Sequence, residues 1–220
     1  MVLQASRLAC VREGRALFDE LSMEVGAGEA LWVKGRNGAG KTSLLRQLCG
    51  LTRPSAGSVS WCGDDIHRKH QTRADFHRSL LYLGHANNLK DELTGVENLL
   101  LGERLAGRAL AVRAAATALA HVGLGRAAWR PAGRLSQGQR RRVSLARLHV
   151  TQAPPLWILD EPFTALDDVA ADALHATLEQ HLAHGGIIVY TTHQLRSLTA
   201  VRSHMLDLSA RSAAAQPPPC

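Results

Sequence analysis

The stretch Gly35-Arg36-Asn37-Gly38-Ala39-Gly40-Lys41-Thr42 decides the fold of this chain. It matches the pattern G-x-x-x-x-G-K-[ST], it follows the apolar segment 30–33, and a helical pattern follows it. Glycines let a backbone wrap closely around phosphate oxygens, and the N–H groups at a helix start attract anions. We predict a nucleotide site here, extending to Ser43, in which Lys41 contacts the β and γ phosphates and Thr42 ligates Mg²⁺. The alternative is a glycine-rich turn with a solvated lysine.

Short apolar segments with β propensity recur along the chain, separated by stretches with helical patterns. They lie at 30–33, 80–83, 156–159 and 187–191. Because this alternation is typical of parallel sheets, we predict an α/β fold with a parallel sheet core. Segments 17–25 and 58–61 are expected to add an antiparallel β edge.

Helical patterns without any strand signal occupy residues 87–135, with the clearest periodicity at 96–105 and 109–122. We predict an α-helical subdomain inserted into a single domain of residues 1–208. Residues 209–220 are small, polar and rich in proline, so we expect a disordered tail.

A pair of carboxylates, Asp160 and Glu161, follows directly after the apolar segment 156–159. Buried parallel strands deliver ligand-binding residues at their carboxyl ends. Asp160 could hold Mg²⁺, usually through water, and Glu161 could orient or deprotonate an attacking water molecule. The alternative is an acidic turn that caps the next helix before Pro162.

The segment Leu135-Ser136-Gln137-Gly138-Gln139 precedes a basic helical stretch from Arg140 to about Val150. Ser136 has the chemistry of an N-cap, and Gly138 permits close approach of an anion to the helix N-terminus. The chain therefore carries a second potential phosphate site. Taken alone, the same pattern also fits an N-capped, arginine-rich surface helix.

His193, one of eleven histidines, follows directly after the strand-like segment 187–191 and Thr192. A histidine there can bond to a γ-phosphate or to the water that attacks it. The other histidines, apart from His85 discussed below, are treated as surface or core residues.

Composition limits the classes of function. The 220 residues carry a formal charge of +7, but the basic residues are dispersed and only 4% of residues are aromatic, so we expect no nucleic-acid partner. The chain has no run of eighteen apolar residues, and its start has no secretory pattern, so we expect a cytoplasmic protein. The four cysteines lack disulfide or zinc-site spacing and are expected to be free thiols: Cys10, Cys49, Cys62 and Cys220.

Four motifs in this order resemble the ABC ATPase family: Walker A at 35–42, the signature at 135–139, Walker B at 156–161, and the switch histidine His193. The resemblance spans about residues 1–208, implies the RecA-like core of P-loop NTPases for the parallel sheet, and places a D-loop at 165–167. It implies a homodimer that binds and hydrolyses ATP with Mg²⁺, with Lys41, Glu161 and His193 supporting hydrolysis. It also implies that Ser136, Gly138 and Gln139 of one subunit contact the ATP bound by the other, and that the helical subdomain transmits motion to membrane subunits.

Two positions depart from the usual pattern of that family. His85 stands where the family has the Q-loop glutamine, a metal and γ-phosphate contact. The usual adenine-stacking aromatic is missing near the first strand, and Arg12 is the nearest candidate, because a guanidinium can stack on a base.

Further segments resemble the ATP-binding subunits of the cytochrome c biogenesis system, also called the haem exporter: 82–85, 93–99, 157–165 and 191–194. This resemblance implies integral-membrane permease subunits as partners and a peripheral position at the cytoplasmic face of the inner membrane. The work would be haem delivery or release of a haem-loaded chaperone. Two alternatives remain: an ABC ATPase for another solute, and a non-transport ABC ATPase that acts on nucleic acid or ribosomes.

Overall fold

The computed structural model describes residues 1–68, 70–150, 154–193, 198 and 202–209. These residues form the strands β1 (Val2–Arg12), β2 (Arg15–Gly26), β3 (Glu29–Lys34), β4 (Ala56–Trp61), β5 (Asp64–Asp65), β6 (Leu80–Leu83), β7 (Leu156–Leu159), β8 (Ile187–Thr191) and β9 (Arg202–Asp207). The α-helices are α1 (Lys41–Leu48), α2 (His70–Arg78), α3 (Gly95–Leu105), α4 (Val112–His121), α5 (Gln137–Leu145) and α6 (Asp168–Ala183). Short 3-10 helices cover Gly125–Trp129, Ala132–Arg134 and Ala146–His149.

The central sheet is parallel and has the strand order β6-β7-β8-β3-β9. Every neighbouring pair in it runs in the same direction, so the carboxyl ends of the strands lie along one edge. That edge carries the residues that follow the strands, including Gly35, His85, Asp160 and His193. Because ligands of open parallel sheets bind at this edge, the sheet order brings distant motifs to one place.

The four predicted parallel segments are confirmed as β3, β6, β7 and β8. The two predicted antiparallel strands are also present, as β2 and β4, and they belong to a separate sheet of order β2-β1-β4-β5. β1 was missed because register irregularities between Ala5 and Val11 break the period-2 pattern that signals a strand. β9 was missed because Leu206 is its only buried residue, so an apolar run is absent from this edge strand.

Both faces of the parallel sheet are covered by apolar side chains. On one face, Ile158 and Val189 join a core shared with the antiparallel sheet and α1. On the other face, Trp157 and Tyr190 pack in a second core that includes residues of α6. Consecutive residues of β7 and β8 thus point to opposite cores, which is why these strands are continuous apolar runs.

The helical stretch has an apolar cluster of its own. Val96 and Leu99 of α3 pack with Leu119 of α4, and Val143 of α5 belongs to the same cluster. α3 begins with a capping box at Thr94. The cluster supports a helical subdomain at about 87–135, and its bounds and the 1–208 extent of the domain stay predictions. The tail beyond Ser209, with Cys220, lies outside the described residues, as does Gln194.

Among the helices that the structure describes, no one is long and apolar enough to span a membrane. The three described cysteines are free thiols, as expected: Cys10, Cys49 and Cys62.

Candidate nucleotide-binding site

The P-loop connects β3 to α1 through glycines with left-handed backbone angles. Gly38 has φ 81° and Gly40 has φ 97°, a region that disfavours residues with a Cβ. A Cβ at Gly40 would also approach Leu17 and the buried Phe18 to 3.1–3.2 Å. Gly40 is the N-cap of α1, and glycine has no side chain that could accept a hydrogen bond from the first N–H groups of the helix. This is the geometry of a phosphate-binding cradle.

Lys41 lies across this loop. Its Nζ donates hydrogen bonds to the main-chain oxygens of Gly35, at 2.8 Å, and Arg36, at 3.4 Å. The ammonium group therefore sits within the curve of the loop, where a phosphate would meet both its charge and the N–H groups of α1.

Asp160 is the buried carboxylate at the end of β7, with 2% of its surface exposed. Its Oδ2 accepts a hydrogen bond of 2.8 Å from the hydroxyl of Thr42, and its Oδ1 accepts one of 2.8 Å from the hydroxyl of Thr191. Burial, followed by the nearby charge of Asp160, raises the pKa of the Cys49 thiol well above its usual value, so that thiol is protonated. The Asp160 carboxylate is therefore almost fully buried and is held by two threonine hydroxyls at the inner wall of the site.

The oxygen atoms of Thr42 and Asp160 fit a Mg²⁺ ion. A hydroxyl and a carboxylate are hard oxygen ligands, and Mg²⁺ usually takes only one or two carboxylates, with phosphates and water completing its shell. No group of three or more His, Cys, Asp or Glu that could hold a metal occurs in the described part of the chain. The residues that could hold a Mg²⁺ ion here are Thr42 and Asp160.

Glu161 has a strained backbone and two contacts with His193. Its φ of 51° is in the left-handed region, which is rare for a residue with a long side chain. Its Oε1 lies 3.4 Å from Nε2 of His193, and its Oε2 lies 3.3 Å from the His193 main-chain nitrogen. The Glu161 side chain is 14% exposed and that of His193 is 62% exposed. A shielded carboxylate thus faces an accessible imidazole.

An open cleft of about 730 Å³ lies beside the P-loop and the carboxylate pair. It is lined by Lys41, Thr42, Asp160 and Glu161, by the other P-loop residues Arg36, Asn37, Gly38, Gly40 and Ser43, and also by Arg12 and His85. Arg12, the candidate for stacking on the adenine, and His85, at the position of the Q-loop glutamine, therefore face the same cleft as the P-loop. Its basic groups suit an anionic ligand. His193 is not among the described residues that line this cleft, and it lines an adjoining cleft with Gly35, Arg36 and Lys41.

The signature segment is built as a second helix N-terminus. The Ser136 hydroxyl accepts from the Gln139 N–H at 3.2 Å, and the Gln139 side chain accepts from the Ser136 N–H at 3.0 Å, which confirms the predicted N-cap. α5 begins at Gln137, three residues before the expected start, and ends at Leu145, where a 3-10 turn replaces the expected continuation. Ser136, Gly138 and Gln139 are not among the described residues that line the cleft.

Arg141 is a structural residue of the site that sequence reasoning missed. Its guanidinium is buried and donates to main-chain oxygens of Asp160 at 3.1 Å, Glu161 at 2.7 Å and Gly84 at 3.1 Å. Burial lowers its pKa, and the carboxylates of Asp160 and Glu161 act in the opposite direction. One signal was available: Arg141 shares the helical spacing i, i+4, i+7 with the buried residues Leu145 and Leu148.

Together, the fold and this site define an ATP-binding cassette: a parallel P-loop core, an antiparallel sheet, a helical insertion and a capped signature helix. A solved dimeric bacterial ABC transporter cassette matches 94% of this chain with a TM-score of 0.82 at 21% identity. A cassette in a post-hydrolysis state bound to ADP and Pi matches 88% with a TM-score of 0.78 at 22% identity. At these identities the likeness establishes the fold.

Sequence comparisons establish the family. The family model described as ABC transporter matches residues 18–164. The cytochrome c biogenesis ATP-binding export protein CcmA of Nitrosomonas europaea is 47% identical over 94% of this chain and 96% of its own length. The proteins of that name from Aromatoleum aromaticum and Escherichia coli K12 are 49% and 44% identical, over 94% and 97% of this chain. The chain belongs to the ABC transporter ATP-binding family, in the branch of these export proteins, and is an ATP hydrolase coupled to transport.

Proposed function

We propose that this chain is the ATP-hydrolysing subunit of the transporter complex of cytochrome c biogenesis, and that it powers haem delivery or release of a haem-loaded chaperone. Integral-membrane permease subunits are its partners, and it lies peripherally at the cytoplasmic face of the inner membrane. The name of the relatives supports this assignment over another solute, because their identity extends over nearly the whole chain. No partnership with nucleic acid is proposed.

The residues of the cleft divide the work of nucleotide binding. The P-loop N–H groups and Lys41 bind the phosphates, and Arg12 stacks on the adenine. Thr42 and Asp160 hold Mg²⁺, and His85 adds a contact at the position of the Q-loop glutamine. When bound, Mg²⁺ neutralises charge on the phosphate oxygens.

Hydrolysis depends on the pair Glu161 and His193. Glu161 orients and deprotonates the attacking water, for which a shielded carboxylate beside the cleft is suited. His193 holds the carboxylate from one side and extends an exposed imidazole toward the γ-phosphate. The contacts of 3.3 and 3.4 Å between these two residues support this division of roles.

One observation carries the proposal of a homodimer. The chain has two helix N-termini suited to phosphate, at Lys41 and at Ser136, and the cleft contains only the first among the residues described. In a homodimer, the partner copy presents the N-terminus of its α5 to the ATP in this cleft, through Ser136, Gly138 and Gln139. The second helix N-terminus then contacts phosphate, and the open cleft is closed. Dimer closure and reopening then drive the membrane subunits.

Size-exclusion chromatography with light scattering on Glu161→Gln, with and without Mg-ATP, tests this mechanism. We expect an ATP-dependent dimer, because the variant keeps ATP and hydrolyses it slowly. Adding Ser136→Arg should abolish the dimer, whereas adding Thr117→Arg, an exposed position on α4, should not. A monomer that binds ATP would contradict the composite site. Wild-type hydrolysis by Glu161→Gln would contradict the role of Glu161.

The cargo is tested separately in cells that lack this gene. The wild-type chain should restore haem-stained c-type cytochromes, and Lys41→Ala should not. Cytochromes c that mature normally without the chain would exclude the proposed pathway and leave the ATPase mechanism untouched.

A further inference from the structure

Thr191 is the last residue of β8 and is fully buried. Its hydroxyl donates a hydrogen bond of 2.8 Å to Oδ1 of Asp160 and accepts one of 2.9 Å from the main-chain N–H of Glu161. One oxygen atom on a neighbouring strand therefore contacts both residues of the carboxylate pair. We propose that Thr191 is a positioning residue for ATP hydrolysis, which sets the orientation of the Asp160 carboxylate and the backbone of Glu161.

The effect on Asp160 follows from its two hydroxyl partners. Thr42 bonds to Oδ2 and Thr191 bonds to Oδ1, so both carboxylate oxygens are directed and the group cannot rotate without losing a bond. Thr42 is on the P-loop side, and Thr191 is on the next strand of the sheet. The hydrogen bond from Thr191 to Oδ1 therefore keeps Oδ2 of Asp160 directed toward the P-loop.

The effect on Glu161 concerns its strained backbone. With φ at 51°, the residue keeps its conformation only if its surroundings favour it. The Glu161 N–H bonds to Thr191 and its main-chain oxygen bonds to Arg141, so both peptide groups beside its Cα are fixed. This backbone aims the side chain at His193, which lies two residues after Thr191 on the same segment.

A hydroxyl is needed for both bonds, and no apolar residue of the same shape supplies it. Thr191→Val keeps the β-branched shape in the core but leaves Oδ1 of Asp160 and the N–H of Glu161 without this partner. Thr191→Ser keeps the hydroxyl and removes a methyl group. The two variants separate hydrogen bonding from packing.

The test compares wild type, Thr191→Val, Thr191→Ser and a control, Thr177→Val, whose hydroxyl bonds to a main-chain oxygen on the exposed face of α6. We expect Thr191→Val to lower kcat about ten- to a hundredfold with a KM for ATP within about threefold of wild type. Thr191→Ser should recover most of kcat. Circular dichroism checks folding, and calorimetry measures the affinity for ATP with Mg²⁺ and with chelator. The gain in affinity that Mg²⁺ provides should shrink in Thr191→Val alone.

The inference rests on the proposed roles of Asp160 and Glu161, so Glu161→Gln is assayed beside these variants. Wild-type kcat in Glu161→Gln would overturn the proposed function. A slow Glu161→Gln together with wild-type kcat and Mg²⁺ dependence in folded Thr191→Val would overturn only the role of Thr191. An equal loss in Thr191→Val and Thr191→Ser would assign Thr191 to packing and overturn it as well.

Discussion

The guanidinium of Arg141 donates a hydrogen bond of 2.7 Å to the main-chain oxygen of Glu161. Arg141 belongs to α5, which begins at the signature, and Glu161 follows β7. The same guanidinium bonds to the oxygen of Gly84, next to His85. One buried cation therefore ties the signature helix to two segments that line the nucleotide cleft.

Replacing Arg141 should destabilise the fold. Arg141→Gln cannot reach all of these carbonyl groups and leaves buried acceptors unpaired, so we expect the free energy of unfolding to fall by about 3 kcal/mol. Urea denaturation measures it. The control Arg113→Gln, at an exposed position of α4, should change it by less than about 0.5 kcal/mol. A similar small change for both variants would show that the Arg141 bonds are replaceable by water.

Lys41→Ala should remove most phosphate binding. The variant loses the ammonium group that lies within the P-loop and the bond to Gly35 that holds the loop. We expect the Kd for ATP to rise by about a hundredfold or more. Calorimetric titration measures it, with Lys90→Ala as the control, because Lys90 is exposed and does not line the cleft in the described structure. An unchanged Kd would place the phosphates elsewhere.

His85 should be replaceable by the glutamine that the family usually has. Both side chains can contact a metal-bound water or a phosphate, so we expect kcat of His85→Gln within about threefold of wild type and a loss of about tenfold or more in His85→Ala. ATP hydrolysis as a function of Mg²⁺ concentration measures this. Asn88→Gly serves as the control. Asn88 lies in the same loop, and glycine readily adopts its backbone φ of 52°. Wild-type activity in His85→Ala would show that His85 only faces the cleft.

Stability should fall on acidification because of His181. Burial lowers the pKa of this imidazole from 6.5 to about 4. The imidazole stacks on the ring of Trp157, and the two ring centroids lie 3.6 Å apart. Below pH 6.5 the unfolded chain takes up a proton that the folded chain refuses, so the free energy of unfolding decreases from pH 6.5 to about 4, by about 2 kcal/mol after allowance for partial exposure.

His181→Phe keeps an aromatic ring against Trp157 and cannot titrate. Urea denaturation from pH 8 to pH 4 should show a smaller loss of stability in this variant than in wild type. The difference between the two proteins should be constant above pH 7, which provides an internal control. Equal slopes below pH 6.5 would show that other groups cause the acid sensitivity.

Local patterns allowed much of the fold and the site to be predicted. Four of the five strands of the parallel sheet contain apolar runs, which are fully buried in β7 and β8, and such runs are visible without a structure. The P-loop, the carboxylate pair and the Ser136 cap are also defined by residues close together in sequence. β1 and β9 escaped prediction because a bulged strand and an exposed edge strand lack a regular apolar pattern.

The sequence by itself determined which chemical groups this protein has, in which order, and that they belong to an ABC-type ATPase. Only the tertiary structure decided that Thr191 and Arg141 contact the carboxylate pair. Thr191 is 31 residues from Asp160, and Arg141 is 20 residues from Glu161. These contacts depend on the order of strands in the sheet and on the docking of α5, which are set by non-local packing that a local residue pattern does not encode.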